Sequence, residues 1–277
     1  EKRSFSDVML WPKVAAFCDS VRDCDVVLMF VGAMESEDTE NFDRRTIELN
    51  ANQEMFIEGA VNAGKKVVVI CQSGSAMAFG SVKGCYDALL QAWYPGQGGA
   101  QALAEVIFGD YNPGGKLPVT FYESNDDLPD FLDYSMENRT YRYFRGTPQY
   151  AFGYGLSYTT FEVGKAKISK KSMKADGSVK ITVPVTNTGD REGTETVQVY
   201  VKALDYAEAP IKDLRGFAKM NLKPGETAKA EIVLDGESFQ YYDPSIDELS
   251  TKPGRYQILY GTSSLEKDLK SIDFVVK

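Results

Sequence analysis

Histidine is absent from all 277 residues. That absence removes every nucleophile–histidine relay and most zinc sites, since imidazole is the usual base and a frequent zinc ligand. Any hydrolysis carried out here must rest on carboxylates, Tyr, Lys, Ser or Cys. Cysteine is scarce, at four residues, and no two are spaced as C-x-x-C. Four in a chain this long do not form a disulfide framework, so Cys18, Cys24, Cys71 and Cys85 are expected as buried free thiols, packed like small hydrophobes. No apolar run approaches the roughly 20 residues that span a bilayer, so no integral membrane protein and no membrane partner is expected. Positive charge is outnumbered, with 31 Lys and Arg against 40 Asp and Glu, a net charge of −9. An acidic chain is a poor match for a phosphate backbone, so nucleic acid is not expected as a partner. An initiator Met and a leader with an apolar core are also missing before Glu1-Lys2-Arg3-Ser4. The expectation is therefore that the chain starts after a cleavage or a truncation.

What is present divides by periodicity. In the first half, residues 12–21 have helical spacing, and the run Val26-Val27-Leu28-Met29-Phe30-Val31 predicts a strand buried on both faces. Residues 47–63 predict a helix stopped by Gly64, and 65–71 a second buried strand. A third strand is expected over 88–93, followed by a turn-rich stretch and a helix over 100–108 that ends at Gly109. Strands alternating with helices at this spacing mean parallel βαβ units, an α/β class. Only three clear buried strands are legible where a doubly wound sheet has about five or six. The sheet thus reads as incomplete at its N-terminus, and a sheet cut there exposes an edge that another segment should cover. In the second half, residues 179–186, 195–202, 227–234 and 254–260 are short, β-branched and aromatic. Turn signals such as Asn187-Thr188-Gly189-Asp190 and Lys223-Pro224-Gly225-Glu226 separate them. That punctuation predicts an antiparallel all-β sandwich of about 100 residues.

Chemistry is concentrated after the first strand, where Glu35-Ser36-Glu37-Asp38-Thr39-Glu40 precedes Asp43-Arg44. Ligand sites of open α/β sheets lie beyond the carboxyl ends of strands. Crowded carboxylates raise the pKa of one member, which can then serve as general acid. Taken by spacing alone, a solvated acidic loop explains the stretch as well as a proton donor does. Gly96, Gly98 and Gly99 suggest a phosphate cradle, but no Gly-Lys-Ser/Thr follows, which favours a turn. Trp93 and Tyr94 have faces that can stack on a sugar, although core packing is the commoner use of such side chains.

In order along the chain, Glu-x-Glu, Asp43-Arg44, Leu49 and Gln53 resemble the segment of glycoside hydrolase family 3 that holds its acid/base glutamate. The resemblance continues through Ser73-Gly74-Ser75-Ala76, Trp93-Tyr94-Pro95-Gly96-Gln97 and the stretch from Phe108-Gly109-Asp110 to Lys116-Leu117-Pro118. It resumes at Arg139-Thr140-Tyr141-Arg142-Tyr143-Phe144, Phe152-Gly153-Tyr154-Gly155-Leu156-Ser157-Tyr158-Thr159 and Leu214-Arg215-Gly216-Phe217, and so covers essentially the whole chain. It implies an α/β sandwich domain over 1–122, a connecting segment over 123–161 and a fibronectin type III-like sandwich over 162–277. It further implies an exo-acting retaining β-glycosidase, closer to β-xylosidases than to β-glucosidases. Such an enzyme uses two carboxyl groups, one as nucleophile and one as acid, then base. The resemblance places the nucleophilic Asp in an N-terminal barrel outside this chain and the acid/base on Glu37, with Glu35 next and Glu40 open. Asp43-Arg44 is expected to brace the loop as an ion pair.

The implied partners are an oligosaccharide or aryl-glycoside substrate and the barrel segment of the same protein, with a homo-oligomer left open. No metal or organic cofactor is implied, and the family favours a secreted or periplasmic location. The competing expectation is an inactive chain whose β-sandwich binds carbohydrate or stabilises its neighbours.

Overall fold

A computed structural model describes residues 5–33, 39–40 and 44–277, which fall into two compact units. The first comprises residues 1–104, 121–128 and 147–149; the second comprises 105–120, 129–146 and 150–277. No helix among the described residues is long and apolar enough to cross a membrane.

The first unit is built on a parallel sheet of three strands in the order β1 (Val26–Gly32), β2 (Lys66–Gln72) and β3 (Ala88–Gln91). Val26 pairs with Lys66 and Gly32 with Gln72, while β3 runs alongside β2 from Ala88 to Gln91. Helix α1 (Phe5–Ser20) starts earlier than the expected residue 12 and carries Pro12 in its interior. The proline removes one helical N–H, and packing onto helix α2 (Ala51–Asn62) offsets that loss. Phe17 meets Phe56 edge-on at 5.3 Å, and Gly59 leaves room for Val14 and Cys18. Helix α2 begins at Ala51 rather than near 47, because Asn50 caps it by accepting from the Asn52 N–H at 2.9 Å. Ile47 and Leu49 instead exchange backbone hydrogen bonds with Ala78 at 2.8 Å.

Two further expectations need correction. Strand β1 is not buried on both faces: Val27 and Val31 are covered, but Val26, Leu28 and Phe30 are 49, 42 and 57% exposed. A continuous apolar run says only that both faces suit burial; β1 lies at the sheet edge, and among the described residues only one of its faces is covered. The thiols are all free, as expected, but only Cys71 is buried, whereas Cys24 and Cys85 are exposed. Cys24 and Cys85 lie in connections outside the strands, and that position outweighs the residue's own preference for the core.

Helix α3 (Gly99–Phe108) follows β3 and ends at Gly109, whose φ of +81° suits glycine. After the short helix α4 (Thr140–Tyr143) come the strands of the second unit. These are β4 (Phe161–Val163), β5 (Lys167–Ile168), β6 (Ser172–Met173), β7 (Ser178–Asn187), β8 (Gly193–Ala203), β9 (Asp213–Leu222), β10 (Thr227–Asp235), β11 (Tyr241–Asp243), β12 (Glu248–Ser250), β13 (Gly254–Gly261) and β14 (Leu269–Val276). One sheet runs β10-β7-β4, with β5 also on β7; the other runs β6-β14-β13-β8-β9. Inward residues of both sheets, among them Ile181, Val183, Val199, Leu234, Tyr256, Ile258 and Phe274, form one core. The alternation along β7, buried at every second residue from Val179, is what a half-covered antiparallel strand requires. The sequence motifs flanking the sandwich lock into it. Lys116 pairs with Glu195 at 2.8 Å, with side chains only 13 and 8% exposed, and also donates to Gly155 O at 2.7 Å. Asn112 donates to Glu192 O and accepts from Ser157 Oγ and the Tyr158 N–H.

Candidate active site at the carboxyl end of the parallel sheet

The three parallel strands all point their carboxyl ends to one side, where the residues after β2 and β3 meet. Strand β1 ends at Gly32, with φ +141°. A Cβ at that position would lie 1.8 Å from Gln72 O, so only glycine lets the chain pass over the end of β2. Gln53 of α2 holds both backbone groups of this residue: the Gly32 N–H donates to Gln53 Oε1 at 2.9 Å, and Gln53 Nε2 donates to Gly32 O at 3.0 Å.

The acidic stretch leaves from this point. Glu35, Glu37 and Asp43 lie outside the described residues; Glu40 is described and exposed. The chain rejoins the scaffold at Arg44, whose guanidinium donates to Met77 Sδ at 2.6 Å, Ser75 Oγ at 2.7 Å and Ala76 O at 3.2 Å. Arg44 therefore anchors the stretch to the loop after β2. The expected Asp43–Arg44 ion pair involves a residue outside the described ones, and the contacts of Arg44 with Ser75, Ala76 and Met77 leave no sign in the sequence.

The loop after β2 is itself ordered by hydroxyls. Buried Ser73 donates to Ser75 O at 2.8 Å and accepts from Gln91 Nε2 at 3.1 Å. Gln91 Oε1 is buried with no partner among the described residues, an acceptor left open at the end of β3. Trp93 takes the left-handed conformation, φ +55°, and packs edge-on against Phe121 at 6.2 Å. Tyr94 does not pack in a core: it is 62% exposed, with its ring against Gly74, where a Cβ would come within 2.9 Å of Tyr94 Cε2. The reversal at Trp93 explains why adjacent aromatics take opposite roles.

Electrostatics narrow the chemistry. Burial pushes the Cys71 thiol up to about 11, although a contact with Ser73 and the charge of Arg44 act the other way. A thiol that stays protonated at neutral pH is no nucleophile. Burial also raises the Glu54 carboxyl; the hydrogen bond from Ser81 opposes it, and the charges of Glu58 and Glu48 add to it. Glu54 and Glu58 share the Ser81 hydroxyl at 3.2 and 3.1 Å, tying α2 to residues 80–82, and nothing in the sequence pattern singled them out. No group of three His, Cys, Asp or Glu among the described residues is placed to hold a metal ion.

Comparison with known proteins gives this geometry its setting. Residues 11–158, more than half of the chain, match the glycosyl hydrolase family 3 C-terminal domain, and residues 195–264 match the fibronectin type III-like domain. A xylan 1,4-beta-xylosidase of Xylanibacter ruminicola is 51% identical over 231 residues, which are 83% of this chain and 26% of that protein. A periplasmic beta-glucosidase of Salmonella typhimurium is 34% identical over 88% of this chain and 34% of its own length. Among solved structures, a GH3 beta-glucosidase of Bifidobacterium adolescentis superposes with a TM-score of 0.86 at 32% identity, covering 96% of this chain and 41% of that one. The chain thus spans roughly a quarter to two fifths of the proteins it matches. The match of the first of these domains over more than half of the chain establishes that this chain belongs to glycoside hydrolase family 3.

Proposed function

We propose that this chain is the rear part of a retaining β-glycosidase that removes terminal β-linked sugars, xylosyl residues in preference to glucosyl ones. In this reading Glu37, with Glu35 as the next candidate, protonates the departing glycosidic oxygen and later deprotonates the attacking water. The nucleophilic aspartate comes from an N-terminal barrel of the same protein, about 5 Å across the sugar. The α/β domain keeps the bounds 1–122, the connecting segment 123–161 and the sandwich 162–277.

The observation that carries the reading is where the acidic stretch is rooted. It leaves the sheet at Gly32 and rejoins it at Arg44, both at the carboxyl ends of parallel strands, where open α/β sheets bind their ligands. The absence of histidine removes the usual general base and burial raises the Cys71 thiol, which fits chemistry done by carboxylates. The exposed face of β1 supports a covering segment from the barrel-bearing part of the protein, since parallel sheets are ordinarily covered on both faces. Similarity to the xylan 1,4-beta-xylosidase supports the preference for xylose.

The test is hydrolysis of aryl xylosides and aryl glucosides by the chain together with its barrel, with Glu37→Gln and Glu35→Gln beside the native protein. Loss of general acid catalysis should cost Glu37→Gln about 10²- to 10⁴-fold on a substrate with a poor leaving group. Native turnover by Glu37→Gln alongside a crippled Glu35→Gln would move the role to Glu35. Native turnover by both would end the reading.

A further inference from the structure

The loops that follow β2 and β3 meet at the carboxyl end of the sheet, and one large apolar side chain stands open on them. Within residues 72–99, Tyr94 is the single large hydrophobic side chain that is exposed. Pro95, Gly96, Gln97 and Gly98 follow it in the chain, and its ring lies on Gly74, which Ser73 and Ser75 flank. A protein interface gathers its aromatics into an apolar core. A lone aromatic face rimmed by glycines, hydroxyls and an amide matches instead a sugar ring, whose apolar face is likewise edged by hydroxyls.

That face is held ready on three sides. Trp93 keeps a left-handed backbone, φ +55°, a strained state for a bulky residue that persists only where its surroundings enforce it. Its ring is anchored edge-on against Phe121 at 6.2 Å. Beyond Tyr94, Pro95 is wedged on the start of α3, where a Cβ at Gly99 would come within 2.4 Å of Pro95 Cβ. The Tyr94 ring itself runs along Gly74, with Cδ2, Cε2 and Cζ at 3.7, 2.9 and 3.6 Å from where a Cβ would stand. An aromatic fixed beforehand loses little entropy on binding.

We propose that Tyr94 is a stacking platform for a sugar of the leaving group, a substrate-binding residue that selects oligosaccharides over simple glycosides. The proposal rests on the β-glycosidase reading above. Neighbouring strands are about 4.8 Å apart, so the end of β3 lies two spacings, roughly 10 Å, across the sheet from the end of β1. An enzyme that removes terminal sugars holds one unit at the bond it breaks, and every other unit belongs to the leaving group. A platform two strands away from β1 therefore meets the departing part of the substrate. Stacking that is alike before and at the transition state lowers KM and leaves kcat alone.

The experiment uses the full-length enzyme with Tyr94→Ala, Tyr94→Phe and Gly74→Ala, comparing xylobiose with methyl β-xyloside, whose leaving group has no ring. Cellobiose and methyl β-glucoside form the same pair should glucose be preferred. Tyr94→Ala should lower kcat/KM on the disaccharide about tenfold, through KM, and stay within about twofold of native on the methyl glycoside. Tyr94→Phe keeps the ring and should recover most of that loss. Gly74→Ala pushes the ring aside with Tyr94 intact and should cost about threefold on the disaccharide alone. Equal losses on both substrates would make Tyr94 a structural residue, and no loss on either would leave its face without a sugar; each result overturns the proposal. If the native enzyme hydrolyses none of the four compounds, the glycosidase reading fails and takes the platform with it. If it hydrolyses a disaccharide and Tyr94→Ala does so equally well, the platform alone fails.

Discussion

Along β7 and β8 of the sandwich, each inward residue meets the facing sheet, and the flanking motifs add a buried ion pair at Lys116–Glu195 and an amide hub at Asn112. Along β1 of the first unit, the same alternation leaves Val26, Leu28 and Phe30 in water. Among the described residues, the second unit closes an apolar core between its own two sheets, whereas β1 of the first is covered only on the face of Val27 and Val31. Side chains that look equally apolar in sequence therefore differ in how much folding they support here, and that difference can be measured.

The largest expected effect is in the self-contained unit. Replacing Lys116 by Met leaves the Glu195 carboxylate buried and without its cation, which should cost about 3–5 kcal/mol of stability, while Lys116→Met with Glu195→Leu should recover most of it. Denaturant unfolding of the three variants reads this directly. The next step sets the units against each other. Ile258→Ala opens a cavity in the sandwich core and should cost about 2–5 kcal/mol, whereas Phe30→Ser in this chain should change stability by less than about 0.5 kcal/mol. A Phe30→Ser cost near that of Ile258→Ala would break the comparison. In the first unit, Asn50→Ala removes the α2 cap and should cost about 1 kcal/mol, seen as a lowered thermal midpoint.

The smallest effect is confined to acid. Hydrogen bonds from Lys252 and Ser245 hold the Asp243 carboxyl down to about 2, below the roughly 3.9 of an unfolded chain. A carboxyl depressed by folding stabilises fully above its unfolded value, and that contribution fades as pH falls from about 4 to 2. Asp243→Asn should therefore lower the melting temperature at pH 7 but not at pH 2. A deficit unchanged at pH 2 would assign the effect to packing around Tyr206 and Tyr241, over whose rings Lys252 lies.

Much of this architecture was legible in the residues. The change of period near residue 161 marks where the strands of the sandwich begin, and the continuous apolar runs at 26–31 and 65–71 mark two of the three parallel strands. Strands β9 and β14 are not legible as strands: β9 stands out only through the motif Leu214-Arg215-Gly216-Phe217, and β14 breaks its pattern with Lys270, Ser271 and Asp273. The edge position of β1 was illegible because apolarity records suitability for burial, while neighbours decide it. At the candidate site, the sequence pointed to the acidic stretch and to Gln53 as one residue of a motif. It could not show that Gln53 grips Gly32, since hydrogen bonds from a helix to a strand 21 positions away leave no periodic trace.

The open side of β1 has a consequence for the chain handled by itself. Three adjoining greasy side chains on a strand at the edge of its sheet invite a second copy to add on, and then a third. Retention of the isolated chain on insoluble xylan would then report stickiness and not recognition. Polar replacement of Leu28 and Phe30 should abolish such retention if self-association causes it, and leave it intact if the sandwich truly grips the polysaccharide.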